Sequence, residues 1–234
     1  MKRKDLQKEL LDLQPTLERF MRGLNQQLLE LMASASIVPA TSMEHRIKTW
    51  ESIDEKLDRR TLRLKGIRDL SDLVGVRCIF LFARDLETIA QAVASTFEIV
   101  SEENTAARLD EKTFGYQSLH YLIRVPAAWL KLPMFRNCEG LTAELQLRTL
   151  AQHMWAAASH KLQYKREASV PAPVRRSIHR VSALLETVDL EFERVLTARE
   201  EYLAGKPAGR QDEALNVDLL KTIARAMLPA RNRS

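Results

Sequence analysis

The stretch LTAELQLRTLAQHMWAAASHKLQYKR (141–166) decides the fold, because a strand pattern in it passes directly into a helix pattern. Successive side chains of a strand point to opposite faces of its sheet. Glu144, Gln146 and Arg148 therefore share one face, and the apolar residues between them share the other. The stretch predicts a strand with one polar and one apolar face that runs into a helix.

A second stretch, FGYQSLHYLIRV (114–125), alternates in the same way. Tyr116, Ser118 and His120 fall on one face of the predicted strand. Together the two polar faces carry a carboxylate, an amide, a guanidinium, a phenol and an imidazole. Burying so many polar groups in a core is costly, whereas the same groups suit a charged, aromatic ligand. We therefore predict a ligand site on this face of the sheet.

The composition bounds the class of protein. The chain has 234 residues, of which 45% are apolar and 29% charged, enough for one substantial domain with helical additions. It has no apolar run that would span a bilayer and no apolar core of a secretory signal. Its two cysteines, Cys78 and Cys138, give no disulfide framework, so we expect a cytoplasmic protein. The net charge of +5 is compatible with nucleotide phosphates or RNA as ligands.

Strand and helix patterns interleave along the chain, which predicts an α/β (α+β) fold with a single mixed β-sheet flanked by helices. The predicted strands cover 74–82, 97–101, 116–125 and 141–148, and residues 102–113 are predicted as a loop. The predicted helices cover 4–33, a segment that begins near Glu51, 85–95, 149–165, 172–203 and 212–228. We expect an N-terminal helical extension over 1–40, a main domain over 41–168 and C-terminal helices over 169–234.

Basic residues surround the start of the second predicted helix. Arg46 and Lys48 share a face if their segment is extended, and Ser52 and Lys56 are four residues apart on the helix that follows. Ser52 also lies near the N-terminus of that helix, where backbone N–H groups favour phosphate. These residues would suit a polyphosphate. The alternative is a solvated helix face, on which Lys56 pairs with acidic neighbours.

Two carboxylates stand at the ends of predicted strands. Asp72 precedes the strand over 74–82, in which Gly75 leaves room for close approach and Arg77 needs a partner or a stacking ring. Mg²⁺ is usually bound by one or two carboxylates together with substrate phosphates, so Asp72 and Glu144 would suit a Mg²⁺–nucleotide site. The alternative for Asp72 is a structural ion pair with Arg77 or with a lysine.

Several common kinds of site are excluded by the sequence. It has no Gly-rich P-loop, no CxxC pair and no GxSxG elbow. His153 and His160 lie two turns apart on their predicted helix, too far for a zinc pair of the HExxH type. We therefore expect no P-loop NTPase, zinc enzyme or serine hydrolase of these types.

Five motifs, in order, resemble the synthetase domain of the RelA/SpoT family, whose members make the alarmones (p)ppGpp. The motifs are RIKTWESIDEKL (46–57), DLVGVR (72–77), FGYQSLH (114–120), ELQLRT (144–149) and HKLQYK (160–165). The resemblance implies a nucleotidyltransferase-like synthetase fold and a Mg²⁺-dependent GTP pyrophosphokinase. Such an enzyme moves the β,γ-diphosphate of ATP to the ribose 3′-hydroxyl of GDP or GTP. Without a hydrolase motif upstream or a long regulatory tail, we expect a small, single-domain member.

The resemblance also implies roles for individual residues. The residues expected to bind ATP are Arg46, Lys48, Ser52, Lys56 and Arg77, the last of them near the adenine. Asp72 and Glu144 would hold Mg²⁺ as the catalytic pair, and Glu144 would also activate the 3′-hydroxyl as a general base. The residues expected to bind the acceptor are Lys112, Tyr116, His120, Gln146 and Arg148, with Tyr116 stacked on the base.

The segment ENTAARLDEKTFGY (103–116) departs from the family pattern. Phe114 replaces an asparagine that helps to read guanine, and the RDYI motif is missing, while Lys112 keeps its spacing. GDP or GTP is the default acceptor. An adenine nucleotide is left open, as is the 3′-end of tRNA, which toxic members modify and which would bring an antitoxin-type partner. A catalytically inactive nucleotide- or RNA-binding module is the alternative of another class.

The helices predicted over 4–33 and 172–203 each carry an apolar stripe. The stripes either pack on the sheet or form a homo-oligomer, a dimer or a tetramer as in small family members. The sequence leaves both readings open.

Overall fold

The computed structural model describes residues 2–59, 64–104, 118–162 and 172–204. The helices are α1 (Arg3–Ser34), α2 (Trp50–Arg59), α3 (Ala83–Thr96), α4 (Leu150–Leu162) and α5 (Ala172–Ala204). The strands are β1 (Glu44–Ile47), β2 (Val74–Phe80), β3 (Glu98–Asn104), β4 (Leu119–Arg124) and β5 (Ala143–Thr149). Short 3₁₀ turns lie at Ile67–Asp69, Ala127–Lys131 and Pro133–Phe135.

The strands form one five-stranded sheet in the order β1-β2-β5-β4-β3. β2 and β5 pair in parallel and the other neighbours pair antiparallel, so the sheet is mixed and the predicted α+β fold is confirmed. A parallel pair needs a long crossover connection, which here contains α3, β3 and β4. The crossover places β2 and β5, which carry the most distinctive motifs, side by side inside the sheet.

One face of the sheet belongs to the core. Alternate side chains of β2 and β5, among them Val76, Cys78, Leu145 and Leu147, are buried there. The apolar stripe of α1 joins the same cluster, and its Phe20 is 0% exposed. Burying a side chain of this size stabilises the fold by ~1.5–3 kcal/mol. The stripe of α1 therefore packs within the chain, and a homo-oligomer stays a prediction.

The predicted loop over 102–113 is wrong at its start. Glu102, Glu103 and Asn104 continue β3 and pair with residues 119–121 of β4. β3 is an edge strand, and polar residues are common on edges because charge there discourages pairing with other chains. The three residues lack the apolar–polar alternation that marks a half-buried strand, so the sequence pattern did not reveal them.

Residues Met1–Asp189 form one compact unit and Leu190–Ser234 form a second. The domain boundaries predicted after residues 40 and 168 stay predictions. The predicted helix over 212–228 and the loop residues 105–113 lie outside the described residues. Within the described part of the chain, no helix combines the length and the apolar character that crossing a membrane requires.

Gly23 of α1 makes room for Phe135. A Cβ added at Gly23 would lie 2.6 Å from Cε1 of Phe135 and 2.7 Å from its Cζ, and the Phe135 ring is fully buried. Alanine is the better helix former by ~1 kcal/mol, but overpacking a core costs ~1–3 kcal/mol. Because the added Cβ would lie far inside van der Waals distance of a fully buried ring, we expect overpacking to exceed the gain in helix propensity. Gly23→Ala should then lower the free energy of unfolding by ~1–2 kcal/mol, as measured by urea denaturation.

The exposed α1 residue Gln26 provides the control for this prediction. Gln26→Ala should change the free energy of unfolding by less than ~0.5 kcal/mol, because no packing is altered. A Gly23→Ala variant as stable as the wild type would show that Phe135 does not need this space.

Candidate active site

Polar side chains form a row across the face of the sheet opposite the core. In register, Glu44 of β1 lies beside Arg77 of β2, and Arg77 lies beside Gln146 of β5. Gln146 in turn lies beside His120 of β4. The row crosses four strands, as the alternating patterns predict for β4 and β5.

A second row lies two residues along the same strands. Arg46 pairs with Gly75, and Gly75 pairs with Glu144. Both rows border a cavity of about 250 Å³. Because Gly75 has no side chain, the floor between Arg46 and Glu144 stays open. A Cβ at Gly75 would fill part of it, at 3.6 Å from Cγ and Nε of Arg46.

Asp72 lies just before β2 and joins two lysines. Its Oδ2 accepts hydrogen bonds from Nζ of Lys48 and, at 2.8 Å, from Nζ of Lys56. Its Oδ1 is buried and has no hydrogen-bond partner among the residues that the structure describes. Burial raises the pKa of the Asp72 carboxyl, but the bonds and charges of the two lysines outweigh burial and hold that pKa below its usual value. The carboxylate is therefore charged at neutral pH, with one oxygen left for another ligand.

Glu144 is the second acidic group, and it is held by His120. Oε1 of Glu144 lies 3.2 Å from Nδ1 of His120. Nε2 of the same ring lies 2.8 Å from Oγ of Ser118 and 3.3 Å from Nη2 of Arg148. A guanidinium can only donate, so Nε2 accepts from Arg148, and Nδ1 carries the proton that it donates to Glu144.

The contacts of Glu144 also keep it ionised. The hydrogen bond from His120 lowers the pKa of the Glu144 carboxyl and, together with one from Gln146, outweighs the effect of burial. The negative charge of Asp72 acts in the opposite direction and raises that pKa. The two carboxylates are therefore close enough to repel each other.

The two carboxylates fit a Mg²⁺ ion that is shared with substrate phosphates. A cation between Asp72 and Glu144 would relieve their repulsion, and the buried Oδ1 of Asp72 is an oxygen without a protein partner. Among the described residues, no group of three or more His, Cys, Asp or Glu side chains is arranged to hold a metal. Two carboxylates suit a hard ion that takes most of its ligands from phosphate and water, as Mg²⁺ does.

Arg77 is held by acceptors on the strands at either side. Its Nε donates to Oε1 of Gln146 at 3.0 Å, and its Nη1 donates to Oε2 of Glu44 at 2.5 Å. His153 of α4 lies beyond, with Nε2 at 3.9 Å from Oε1 of Glu44. Glu44 and His153 were not predicted as site residues. The sequence feature that could have indicated Glu44 is its spacing of two residues from Arg46, which puts both on one face of a strand. A strand of four residues is too short for this spacing to be distinctive.

The structure brings most of the predicted site residues together. Those at the cavity or around Asp72 and Glu144 are Arg46, Lys48, Lys56, Arg77, His120, Gln146 and Arg148. Ser52 is exposed on the first turn of α2, where its N–H donates to Oγ1 of Thr49 at 3.4 Å. Of the two partners considered for Asp72, the lysines form the ion pair, and Arg77 pairs with Glu44. Lys112 and Tyr116 lie outside the described residues.

A carboxylate bonded to two lysines, near a cavity lined by Glu144 and two arginines, defines a site for an anionic, metal-binding ligand of the nucleotide type. The family follows from the sequence comparison. The family model of the region found in RelA / SpoT proteins matches residues 45–169, just over half of the chain. The chain belongs to this family, which confirms the resemblance drawn from the five motifs.

Two proteins of Bacillus subtilis (strain 168) are similar in sequence. GTP pyrophosphokinase YjbM is 27% identical over 159 residues, which cover 67% of this chain and 72% of YjbM. GTP pyrophosphokinase YwaC is 26% identical over 166 residues, which cover 70% of this chain and 75% of YwaC.

The fold is similar to solved structures of small alarmone synthetases. The crystal structure of small alarmone synthetase 1 from Bacillus subtilis, bound to its product pppGpp, superposes with a TM-score of 0.64 at 23% identity. This match covers 82% of the present chain and 98% of that structure. The same enzyme bound to AMPCPP superposes with a TM-score of 0.62 at 23% identity, covering 83% of this chain and 99% of the other.

The lowered pKa of Asp72 predicts a pH-dependent contribution to stability. A carboxyl whose folded pKa is depressed stabilises the fold above its unfolded pKa of ~3.9, and this stabilisation is lost as the pH falls through the folded value. Asp72→Asn should therefore lower the free energy of unfolding by ~1–2 kcal/mol at pH 7, because it removes the charge that holds two lysines.

Urea denaturation at pH 7 and at pH ~3 checks this prediction, because the difference between Asp72→Asn and the wild type should become smaller at the lower pH. The exposed α1 residue Asp12 is the control, and Asp12→Asn should match the wild type at both. A difference between Asp72→Asn and the wild type that is the same at both pH values would contradict the role of the Asp72 charge.

Proposed function

We propose that this protein is a GTP pyrophosphokinase. It moves the β,γ-diphosphate of ATP to the ribose 3′-hydroxyl of GDP or GTP, which yields AMP and (p)ppGpp. The observation that carries the proposal is the pair of carboxylates at the β2 and β5 strands, Asp72 held by two lysines and Glu144 by a histidine. The names of the two Bacillus subtilis relatives and the product bound to the similar crystal structure support the same reaction.

The cations around the cavity suit the donor, ATP. Arg46 and Arg77 line the cavity, and Lys48 and Lys56 lie together at Asp72. The phosphate oxygens of ATP would offer the two lysines charge-assisted hydrogen bonds like those they now make to Oδ2 of Asp72. The lysines would exchange one anionic partner for another, so they are paired both with and without the nucleotide. Arg46 and Arg77 would then contact the base of ATP and neutralise the phosphate charge that the lysines do not.

Asp72 and Glu144 would hold Mg²⁺, which when bound supplies neutralisation of the phosphate charge. Asp72 contributes the buried Oδ1 that has no protein partner. Phosphoryl transfer depends mainly on positioning and on neutralising charge. The lysines bonded to Asp72 and the arginines that line the cavity with Glu144 suit both needs.

Glu144 is also proposed to receive the proton of the acceptor hydroxyl. The hydrogen bond from His120 keeps the Glu144 pKa low, so the group is ionised at neutral pH and is in its proton-accepting form. A carboxylate of low pKa is a weak base, so it would take the proton as the new O–P bond forms rather than generate an alkoxide beforehand. His120 fixes the direction of the carboxylate through its Nδ1–H.

GDP and GTP are the acceptors that the names of the relatives favour. Gln146 and Arg148 are proposed to contact the acceptor, and the Nε of Arg148 is buried without a hydrogen-bond partner. Lys112 and Tyr116 are proposed for its phosphates and its base. A cytoplasmic location, an oligomer, tRNA and an antitoxin-type partner stay predictions from the sequence.

The reaction is tested with γ-³²P-labelled ATP, Mg²⁺ and one acceptor at a time. The acceptors are GDP, GTP, ATP and bulk tRNA. We expect the label to move to GDP and GTP. Label that moves only to ATP or tRNA would overturn the guanine acceptor and retain the diphosphate transfer. An absence of transfer to all four would contradict the proposed enzyme and favour a binding module.

Glu144→Gln should reduce the transfer rate by ~10²–10⁴-fold, because it removes the proton acceptor and a carboxylate proposed for Mg²⁺. Binding of a non-hydrolysable ATP analogue without Mg²⁺ should change by less than ~3-fold, because the four cations are untouched. The exposed α1 residue Glu30 supplies the control variant, Glu30→Gln. Turnover by Glu144→Gln at the wild-type rate would contradict the roles proposed for Glu144 as proton acceptor and Mg²⁺ ligand.

A further inference from the structure

Glu44 holds the guanidinium of Arg77 from the β1 side of the cavity. The two side chains are joined by the 2.5 Å hydrogen bond from Nη1 of Arg77 to Oε2 of Glu44. Gln146 holds the same guanidinium from the β5 side, through its Oε1 and Nε of Arg77 at 3.0 Å. The group is therefore bound at two different nitrogens by residues on the two strands that flank β2.

The geometry of these bonds leaves the flat faces of the guanidinium free of the two acceptors. Guanidinium N–H groups lie in the plane of the group, so their hydrogen bonds also lie near that plane. Two such bonds at separate nitrogens fix the orientation of the plane. A guanidinium plane that is fixed in this way is prepared to stack on the ring of a base.

Glu44 also balances charge at the cavity. Burial lowers the pKa of Arg148 and the positive charge of Arg77 lowers it further, while the charges of Glu144 and Glu44 oppose these effects. The effect of Glu44 on Arg148 is the smallest of these, so Glu44 is chiefly the acidic partner of Arg77, to which it is bonded. Without its charge, the repulsion between Arg77 and Arg148 would be less compensated, and Arg77 would be free to turn away from the cavity.

The bond to Arg77 is the closest contact that the Glu44 carboxylate makes among the described residues. His153 of α4 places Nε2 3.9 Å from the Oε1 that Arg77 does not use, which is beyond hydrogen-bond distance. The side chain of Glu44 is 49% exposed, so it is not enclosed by packing. The ion pair with Arg77 thus holds the Glu44 carboxylate at the cavity.

We infer that Glu44 is a positioning residue that sets the affinity for the donor nucleotide by fixing the plane of Arg77 against the base. The inference rests on the proposed function, in which Arg77 binds ATP. Glu44 acts through Arg77 and not on the reacting atoms. Its loss should therefore weaken donor binding and leave both the chemical step and the acceptor unaffected.

The first test is Glu44→Gln, which keeps the shape of the side chain and removes its charge. A hydrogen bond to a charged acceptor is about twice as strong as one to a neutral acceptor, so the KM for ATP should rise about fivefold to tenfold. The kcat and the KM for GDP should stay within about twofold. The Kd of α,β-methylene-ATP, measured by titration calorimetry, should rise by the same factor as the KM for ATP.

The matched control is Glu98→Gln at the far edge of the sheet. Glu98 pairs with Arg124 through a bond of 2.7 Å between Oε1 and Nη1, and its side chain is 53% exposed, close to the 49% of Glu44. This variant removes an equivalent ion pair away from the cavity, so the KM for ATP should equal that of the wild type. Thermal unfolding of both variants should occur within about 2 °C of the wild-type value.

A double-mutant cycle with Arg77→Ala shows whether Glu44 acts through Arg77. In the Arg77→Ala background, Glu44→Gln should change the Kd of α,β-methylene-ATP by less than about twofold. An unchanged Kd in the single variant, a fall in kcat at constant KM, or an equal effect of Glu44→Gln with and without Arg77 would each overturn the inference. Wild-type protein that binds the analogue but transfers nothing would refute the proposed reaction alone, since the calorimetric cycle would still decide the role of Glu44.

Discussion

The register of the parallel pair β2–β5 is the constraint on which the site depends. It sets Gly75 beside Glu144 and Arg77 beside Gln146, with the core residues between them on the other face. A shift of one residue would turn every polar side chain of these strands into the core and every apolar one out of it. The hydrophobic effect that selects this register therefore also positions Glu144, which we propose as a catalytic group, beside Gly75.

The polar face is stable in the absence of ligand because its charges are already matched. Lys48 and Lys56 share Asp72, Arg77 bonds to Glu44, and Glu144 accepts from a histidine. Leaving such charges half-buried and unpaired would be costly. Each lysine bond is also one that a phosphate oxygen can replace. The two lysine–Asp72 bonds are thus the ones that a nucleotide and its metal would replace, while the bonds of Arg77 to Glu44 and of His120 to Glu144 would remain.

The sequence predicted those parts of the site that repeat a strong pattern. β5 alternates over seven residues, and its polar residues, Glu144 among them, were placed on the correct face. The partners of single side chains were beyond such reasoning, because they depend on contacts between distant segments. Asp72 was compatible with either Arg77 or a lysine, and only the fold decides. Glu44 was not predicted because β1 has only four residues, too few to show the alternation of a strand. The strand pairing of Glu102 was not predicted because it lies among polar residues of an edge strand, which lack the apolar–polar alternation.

We propose that this site transfers a diphosphate as one unit to a ribose 3′-hydroxyl. The products formed from ATP, GDP and Mg²⁺, separated by anion-exchange chromatography and identified by ³¹P NMR, test this transfer. We expect AMP to form in a one-to-one ratio with a guanosine product that carries a new diphosphate at its 3′ position. Formation of ADP with a single transferred phosphate, or of AMP and free pyrophosphate without a modified nucleotide, would contradict this proposal.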